Sequence, residues 1–151
     1  MEPGQPSPTP SPAAAPSTRP GMAVAAHAAA RPDDPAVVSP VGDRTFGELN
    51  AHANQLARAL QRRGVQAGDG LALLCSNRPE FAEVWAACMR AGLRITPINF
   101  HFTATEAAYL LRDSGAKAFI VSAKRKLKLY LHNRGITLET MESAPYRAMA
   151  A

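Results

Sequence analysis

The chain has 151 residues and a formal net charge of +5, with 46% hydrophobic and 6% aromatic residues. That length admits one domain with a modest core, and no apolar run in it is long enough for a membrane-spanning helix. The charge is uneven: residues up to Ala123 carry 11 basic and 10 acidic side chains, and those from Lys124 onward carry six and two, so the basic character belongs to the tail.

Seven of the thirteen prolines (Pro3, Pro6, Pro8, Pro10, Pro12, Pro16 and Pro20) fall in the first twenty residues, among Ser, Thr and Ala. Such a segment cannot bury enough apolar surface to offset the entropy of ordering it, which predicts a disordered leader over residues 1–22. It has no unbroken apolar stretch for a signal peptide, and Arg19 as its sole basic residue argues against an Arg-rich transit peptide. Met22 follows directly as an alternative start of translation. Without a secretion signal, the cytoplasm is the expected compartment. Cys75 and Cys88 have no Cys or His at metal-ligand spacing and read as two reduced thiols in or beside the core.

Residues 36–41 and 44–46, around Gly42-Asp43, predict a small hairpin. Thr45 and Glu48 form a capping box that starts a helix. Phe46, Leu49, Ala53, Leu56, Ala57 and Leu60 recur at steps of three and four as its apolar stripe, and Gly64 after Arg62-Arg63 ends it. Residues 71–75 form a short continuous apolar run, as expected for a strand buried on both faces. Pro79 suits the first turn of a second helix, whose stripe is Phe81, Val84, Trp85 and Cys88 and whose stop is Gly92. Residues 93–98 predict the next strand, with Pro97 placing it near an edge or bulge. Thr103 and Glu106 make a second capping box, Ala107, Leu110 and Leu111 the apolar face, and Gly115 ends that helix before a strand over residues 118–121. The alternation predicts an α/β fold: a partial layered parallel sheet with alternating helices and right-handed crossovers, preceded by the disordered Pro-rich leader. A parallel sheet needs cover on both faces, so three short helices should leave apolar surface exposed.

The ordered series Thr45-Phe46-Gly47-Glu48-Leu49, Gly68-Asp69, Leu71-Ala72-Leu73-Leu74, Asn77-Arg78-Pro79-Glu80-Phe81, Ala91-Gly92 and Pro97-Ile98-Asn99, closed by residues 106–121, resembles the N-terminal portion of the AMP-forming acyl-CoA synthetases. These are adenylate-forming ligases of the AMP-dependent synthetase superfamily, and the resemblance covers residues 26–122. Gly70 and Leu93-Arg94-Ile95-Thr96 stand where many members carry other residues. The resemblance divides the chain into the leader (1–22), the N-terminal part of a synthetase domain (23–123) and a divergent basic tail (124–151). For the complete family it implies ATP, magnesium and coenzyme A, used to convert a carboxylic acid to an acyl adenylate and then to a thioester. For this chain it implies no cofactor, because the Ser/Thr/Gly-rich phosphate loop with its Lys, the magnesium-binding acid and the C-terminal catalytic Lys have no counterpart here. No catalytic, cofactor-binding or metal residue is therefore assigned.

Several side chains still invite a functional reading. Ser114-Gly115-Ala116-Lys117 is the nearest look-alike to a phosphate loop, but it is too short, and Lys117 reads as a solvated surface lysine. His27, His52, His101 and His132 share no metal spacing and read as surface or satisfied histidines. His101 follows Pro97-Ile98-Asn99-Phe100 in a loop at a strand's end, where α/β folds bind ligands, which makes it the candidate contact residue by position. Trp85 reads as core rather than as a substrate platform. Glu80 and Glu83 share a helix face and, with Asp113, suggest hydrolysis, yet such pairs are usually solvated and no nucleophile or metal stands near.

Beyond residue 123 the chain alternates strictly, with Leu127, Leu129 and Leu131 to one side and Lys126, Lys128, Tyr130 and His132 to the other, which favours a strand. It reads as an edge strand guarded by its lysines, as a charged contact for acidic lipid or nucleic acid, or as the product of a changed reading frame or splice. The functional expectation is an N-terminal fragment or truncated isoform, inactive alone. The alternative is a non-catalytic interaction module that docks a protein partner through its uncovered sheet and basic tail. Neither a nucleic-acid partner nor a transmembrane segment is expected, and a small-molecule substrate belongs to the complete family.

Overall fold

The structure, a computed structural model, describes residues 21–123, 126–131 and 137–141. The leader up to Pro20 and His132 lie outside the described residues. The first element is α1 (Ala23–Ala30), which apolar periodicity does not reveal because the segment is AVAAHAAA. Alanine favours helix, but an eight-residue helix is marginal alone, so packing must hold this one. Val24 packs on the core, the His27 ring lies 5.0 Å from the Phe46 ring, and the Arg31 guanidinium sits 4.9 Å from the centroid of that ring.

The hairpin forms as expected but shorter, as antiparallel β1 (Pro35–Val37) and β2 (Arg44–Thr45). β2 runs straight into α2 (Phe46–Arg62), and the capping box is present: Thr45 N–H donates to Glu48 Oε2 at 3.0 Å and Glu48 N–H to Thr45 Oγ1 at 3.2 Å. Leu49, Ala53, Leu56, Ala57 and Leu60 are buried along one side of α2.

β3 (Gly70–Leu74), α3 (Pro79–Ala91), β4 (Arg94–Ile98), α4 (Ala104–Asp113) and β5 (Ala116–Ala123) follow in the expected alternation. β3 pairs in parallel with both β4 and β5. Pro97 is placed on β4, the edge strand, where its missing N–H breaks no ladder on the outer side. The chain steps from β3 to β4 and then back past β3 to β5, so crossovers of one hand must use opposite faces of the sheet. The packing agrees. α2 and α3 cover Leu71, Leu73, Ala118 and Ile120, while α4 covers Ala72, Ile98 and Ala116. The first face is a dense core, but α4 contributes no fully buried residue, and Leu110, Leu111, Leu74 and Phe119 remain half-buried.

After β5 the sheet turns antiparallel through β6 (Lys126–Leu131) and β7 (Thr137–Met141). The alternating segment is thus a strand, but not an edge: in the order β4-β3-β5-β6-β7 it is paired on both sides, and β7, which the sequence pattern does not announce, occupies the border.

Two expectations for α3 are corrected. Trp85 is 43% exposed rather than core, because the buried arc of the helix is centred on Glu83, Val84 and Ala87, which leaves Trp85 on its flank beside Phe81. Glu80 and Glu83 are not solvated but buried, at 6% and 1% exposure. Oε1 of Glu83 accepts from Arg44 Nε at 2.8 Å and lies 2.8 Å from His52 Nδ1, so β2, α2 and α3 meet at one carboxylate. Burial acts to raise the Glu83 pKa, but the hydrogen bond and charge of His52, then those of Arg44, outweigh it and hold the carboxyl below the ordinary glutamate range. The His52 reading as a satisfied histidine agrees with this contact.

Because the folded pKa lies below the ordinary 4.5, this carboxylate stabilises the fold above about pH 4.5, and the contribution is lost as pH falls through the folded value. Glu83→Ala, which strands Arg44 against the helices, should lower stability by about 3 kcal/mol at neutral pH. Urea unfolding followed by circular dichroism should show that deficit shrinking in acid; an equal deficit at both pH values would discard the carboxylate as its cause. Thr45→Ala should cost about 1 kcal/mol in the same transition. Thr103→Ala, at the cap of the half-buried α4, should instead appear as faster amide exchange in that helix, with little change in the main unfolding midpoint.

Candidate functional site

In open parallel sheets ligands collect outside the carboxyl ends of the strands, where successive crossovers leave on opposite faces. Here that point lies between β3 and β4, since α3 leaves over one face and α4 over the other. Cys75, Ser76 and Asn77 follow β3 at this rim, and Asn99, Phe100 and His101 follow β4.

The loop after β4 is built to project. Asn99 Oδ1 accepts the His101 N–H at 3.0 Å, and the Asn99 carbonyl accepts the Phe102 N–H at 3.1 Å, so the chain turns back at once into α4. The exposed His101 imidazole lies 4.1 Å from the Phe100 ring, centroid to centroid. Phe100 and Phe102 are 44% and 41% exposed, and a shallow groove of about 310 Å³ continues along α4 between Phe102, Thr105, Glu106, Tyr109 and Leu110. The structure therefore places His101 at the switch point, on an apolar apron.

Towards β5 the rim is organised by Arg78, which the sequence reading treated only as part of a helix opening. As the N-cap of α3 it is extended, with φ −149° and ψ 161°. That geometry lets Nε and Nη2 donate to Glu80 Oε2 and Oε1 at 2.7 and 2.8 Å, while Nη1 donates to Ser122 Oγ at 3.1 Å. Residues two apart in a regular helix do not face each other, so spacing alone could not disclose the pair. Burial pushes the Cys75 thiol up to about 11 and the Cys88 thiol up to about 12. Both cysteines are free and buried, as expected, and neither supplies a thiolate nucleophile near neutrality.

Lys117 stands at the opposite, amino-terminal rim. Its Nζ donates to the Gly64 carbonyl at 2.7 Å and to Asp69 Oδ2 at 2.9 Å, pinning the start of β5 to the α2–β3 connection. The expectation of a solvated lysine is thereby corrected: a carbonyl left over at the end of α2 and a loop carboxylate converge on it. The Gln66 backbone N–H, then Lys117, hold Asp69 below the ordinary carboxylate range. His27 lies against Phe46, and Asp113 is exposed at the end of α4. Among the described residues no three His, Cys, Asp or Glu side chains could hold a metal ion. ATP with magnesium needs backbone amides, a cation and carboxylates converging at one place. Here Lys117 is paired with Asp69 at one rim and Arg78 with Glu80 at the other, where His101 stands, so each of these two cations is already committed to a carboxylate.

Residues 24–146 match the family model described as AMP-binding enzyme. The matched span continues past Ala123 into the stretch that the sequence reading set apart. The fatty acid–[acyl-carrier-protein] ligase ScoC of Streptomyces coeruleorubidus is 29% identical over 83% of this chain and 22% of its own length. Unliganded o-succinylbenzoate coenzyme A synthetase (MenE) of Bacillus subtilis superposes with a TM-score of 0.63 and 27% identity over 70% of this chain and 23% of that one. The N-terminal domain of FACL13 from Mycobacterium tuberculosis gives 0.62 and 33% over 66% of this chain and 25% of that one. The chain thus spans about a quarter or less of the length of these relatives. It belongs to the AMP-binding enzyme family, as an N-terminal portion of the adenylate-forming acyl- and aryl-CoA ligase fold.

Proposed function

We propose that this chain is the opening structural unit of a ligase that activates a carboxylic acid with ATP, and that its 151 residues do not form an adenylate by themselves. The observation that carries this reading is the unequal cover of the sheet. Two helices bury one face, while the other rests under α4, which has no fully buried residue. Such a face is a platform for further chain. The reading is also supported by the sequence, which has no Ser/Thr/Gly-rich loop with a lysine, and by the commitment of Lys117 to Gly64 and Asp69. A carboxylic acid substrate is supported by the relatives, whose names specify a fatty acid and o-succinylbenzoate, both carboxylic acids. In such a ligase the acid displaces pyrophosphate from ATP, and a thiol then displaces AMP to leave a thioester. This unit would contribute the sheet edge and the His101 apron on which the rest of the site is assembled.

Purified chain incubated with ATP, magnesium and either a fatty acid or o-succinylbenzoate should release no more pyrophosphate than a heat-denatured control, and turnover above that control would sink the claim of inactivity. The α4 face should bind an anilinonaphthalene dye under native conditions. A sharp cooperative melt without dye binding would mean that the sheet needs no further cover.

A further inference from the structure

We infer that the proline-rich leader, residues 1–20, docks in an apolar groove beside α1 and α3 and covers Trp85. This inference does not rest on the ligase reading. The groove encloses about 410 Å³ and is walled by Val24, Leu49, Phe81, Trp85, Ala86 and Met89. It exposes large apolar side chains, with Trp85 and Met89 at 43% and 37%. Phe81 and Trp85, one helical turn apart, present rings 6.4 Å apart and 19° from parallel. Proline-rich segments favour the polyproline II conformation and dock on aromatic-lined grooves with little ordering entropy to lose.

The place where the chain enters names the occupant. Gly21 is itself a lining residue of the groove. Its φ is +84°, and a Cβ on it would stand 2.3 Å from the Met89 carbonyl oxygen, so the backbone there lies pressed on the last turn of α3. The leader is therefore tethered, through Gly21, at the groove itself. From Met89 back to Phe81 the helix rises about 12 Å. Polyproline II advances about 3.1 Å per residue, so about four or five residues, Pro16-Ser17-Thr18-Arg19-Pro20, cover that length. The covalent tether supplies a high effective concentration for a contact that would be weak in trans.

Trp85 is the sole tryptophan, so its emission reports on this groove alone. Acrylamide quenching should be compared among the full chain, the full chain carrying Pro12→Ser, Pro16→Ser and Pro20→Ser, and a chain starting at Met22. Both altered chains should show red-shifted emission and a quenching constant at least about two-fold higher, the change expected when a ring shielded by docked prolines is released. A synthetic peptide of residues 1–21 should reverse the effect in the shortened chain. Equal quenching in all three chains overturns the inference. A difference that disappears on dilution of the full chain also overturns it, because it assigns the cover to a second copy. The serine variant changes only leader residues and so decides the matter even if the shortened chain fails to fold.

Discussion

A central strand that must be dry on both faces governs this structure. β3 is paired in parallel on both edges, and Leu71, Ala72 and Leu73 have no exposed surface. The helices around it are placed by that requirement. Because the chain steps first to one side of β3 and then to the other, α3 and α4 are sent to opposite faces, and α2 packs on the face that α3 occupies. Burying a leucine such as Leu56, Leu60, Leu71 or Leu73 contributes about 2 kcal/mol, whereas a helix cap contributes about 1 kcal/mol. Packing therefore decides where the helices lie, and the caps decide where they begin.

The charged groups are sorted by the same geometry. Side chains that cannot leave the α2–α3 seam are paired inside it, as Glu83 is with Arg44 and His52. Such a pair contributes little net energy over an apolar filling, but removing one partner strands the others, so it ties the hairpin to the two helices. Two further ion pairs stand at the rims of the sheet. Lys117 and Asp69 close the amino-terminal rim, and Arg78, Glu80 and Ser122 close part of the carboxyl-terminal rim. What stays open is the β4 loop with His101 and its neighbouring phenylalanines, at the switch point where a fold of this kind accommodates ligands.

Local chemistry made much of this legible in advance. The Thr45–Glu48 and Thr103–Glu106 boxes, Pro79 at the first turn of α3 and Gly92 in the left-handed conformation after it act within a few residues, and each is found where the sequence places it. The misreadings fall where a side chain meets something remote in sequence. Apolar spacing locates the α3 stripe but not its centre, and so reads Trp85 as core. Two glutamates on one helix face resembled a solvated pair until a hairpin arginine and an α2 histidine arrived beside Glu83. Lys117 looked solvated because Gly64 and Asp69 are about fifty positions away.

The amino-acid sequence by itself determined the alternation of strands and helices, the ends of the helices, the buried character of β3 and the family resemblance. All of these are written in periodicity, caps and short ordered motifs. Only the tertiary structure decided the strand order, the passage of the alternating segment into the interior of the sheet, the formation of α1 against Phe46 and the partners of Glu80, Glu83 and Lys117. The physical reason is that periodicity tells which side of an element is apolar, whereas an ion pair or a strand neighbour depends on which distant segment the packing brings within reach.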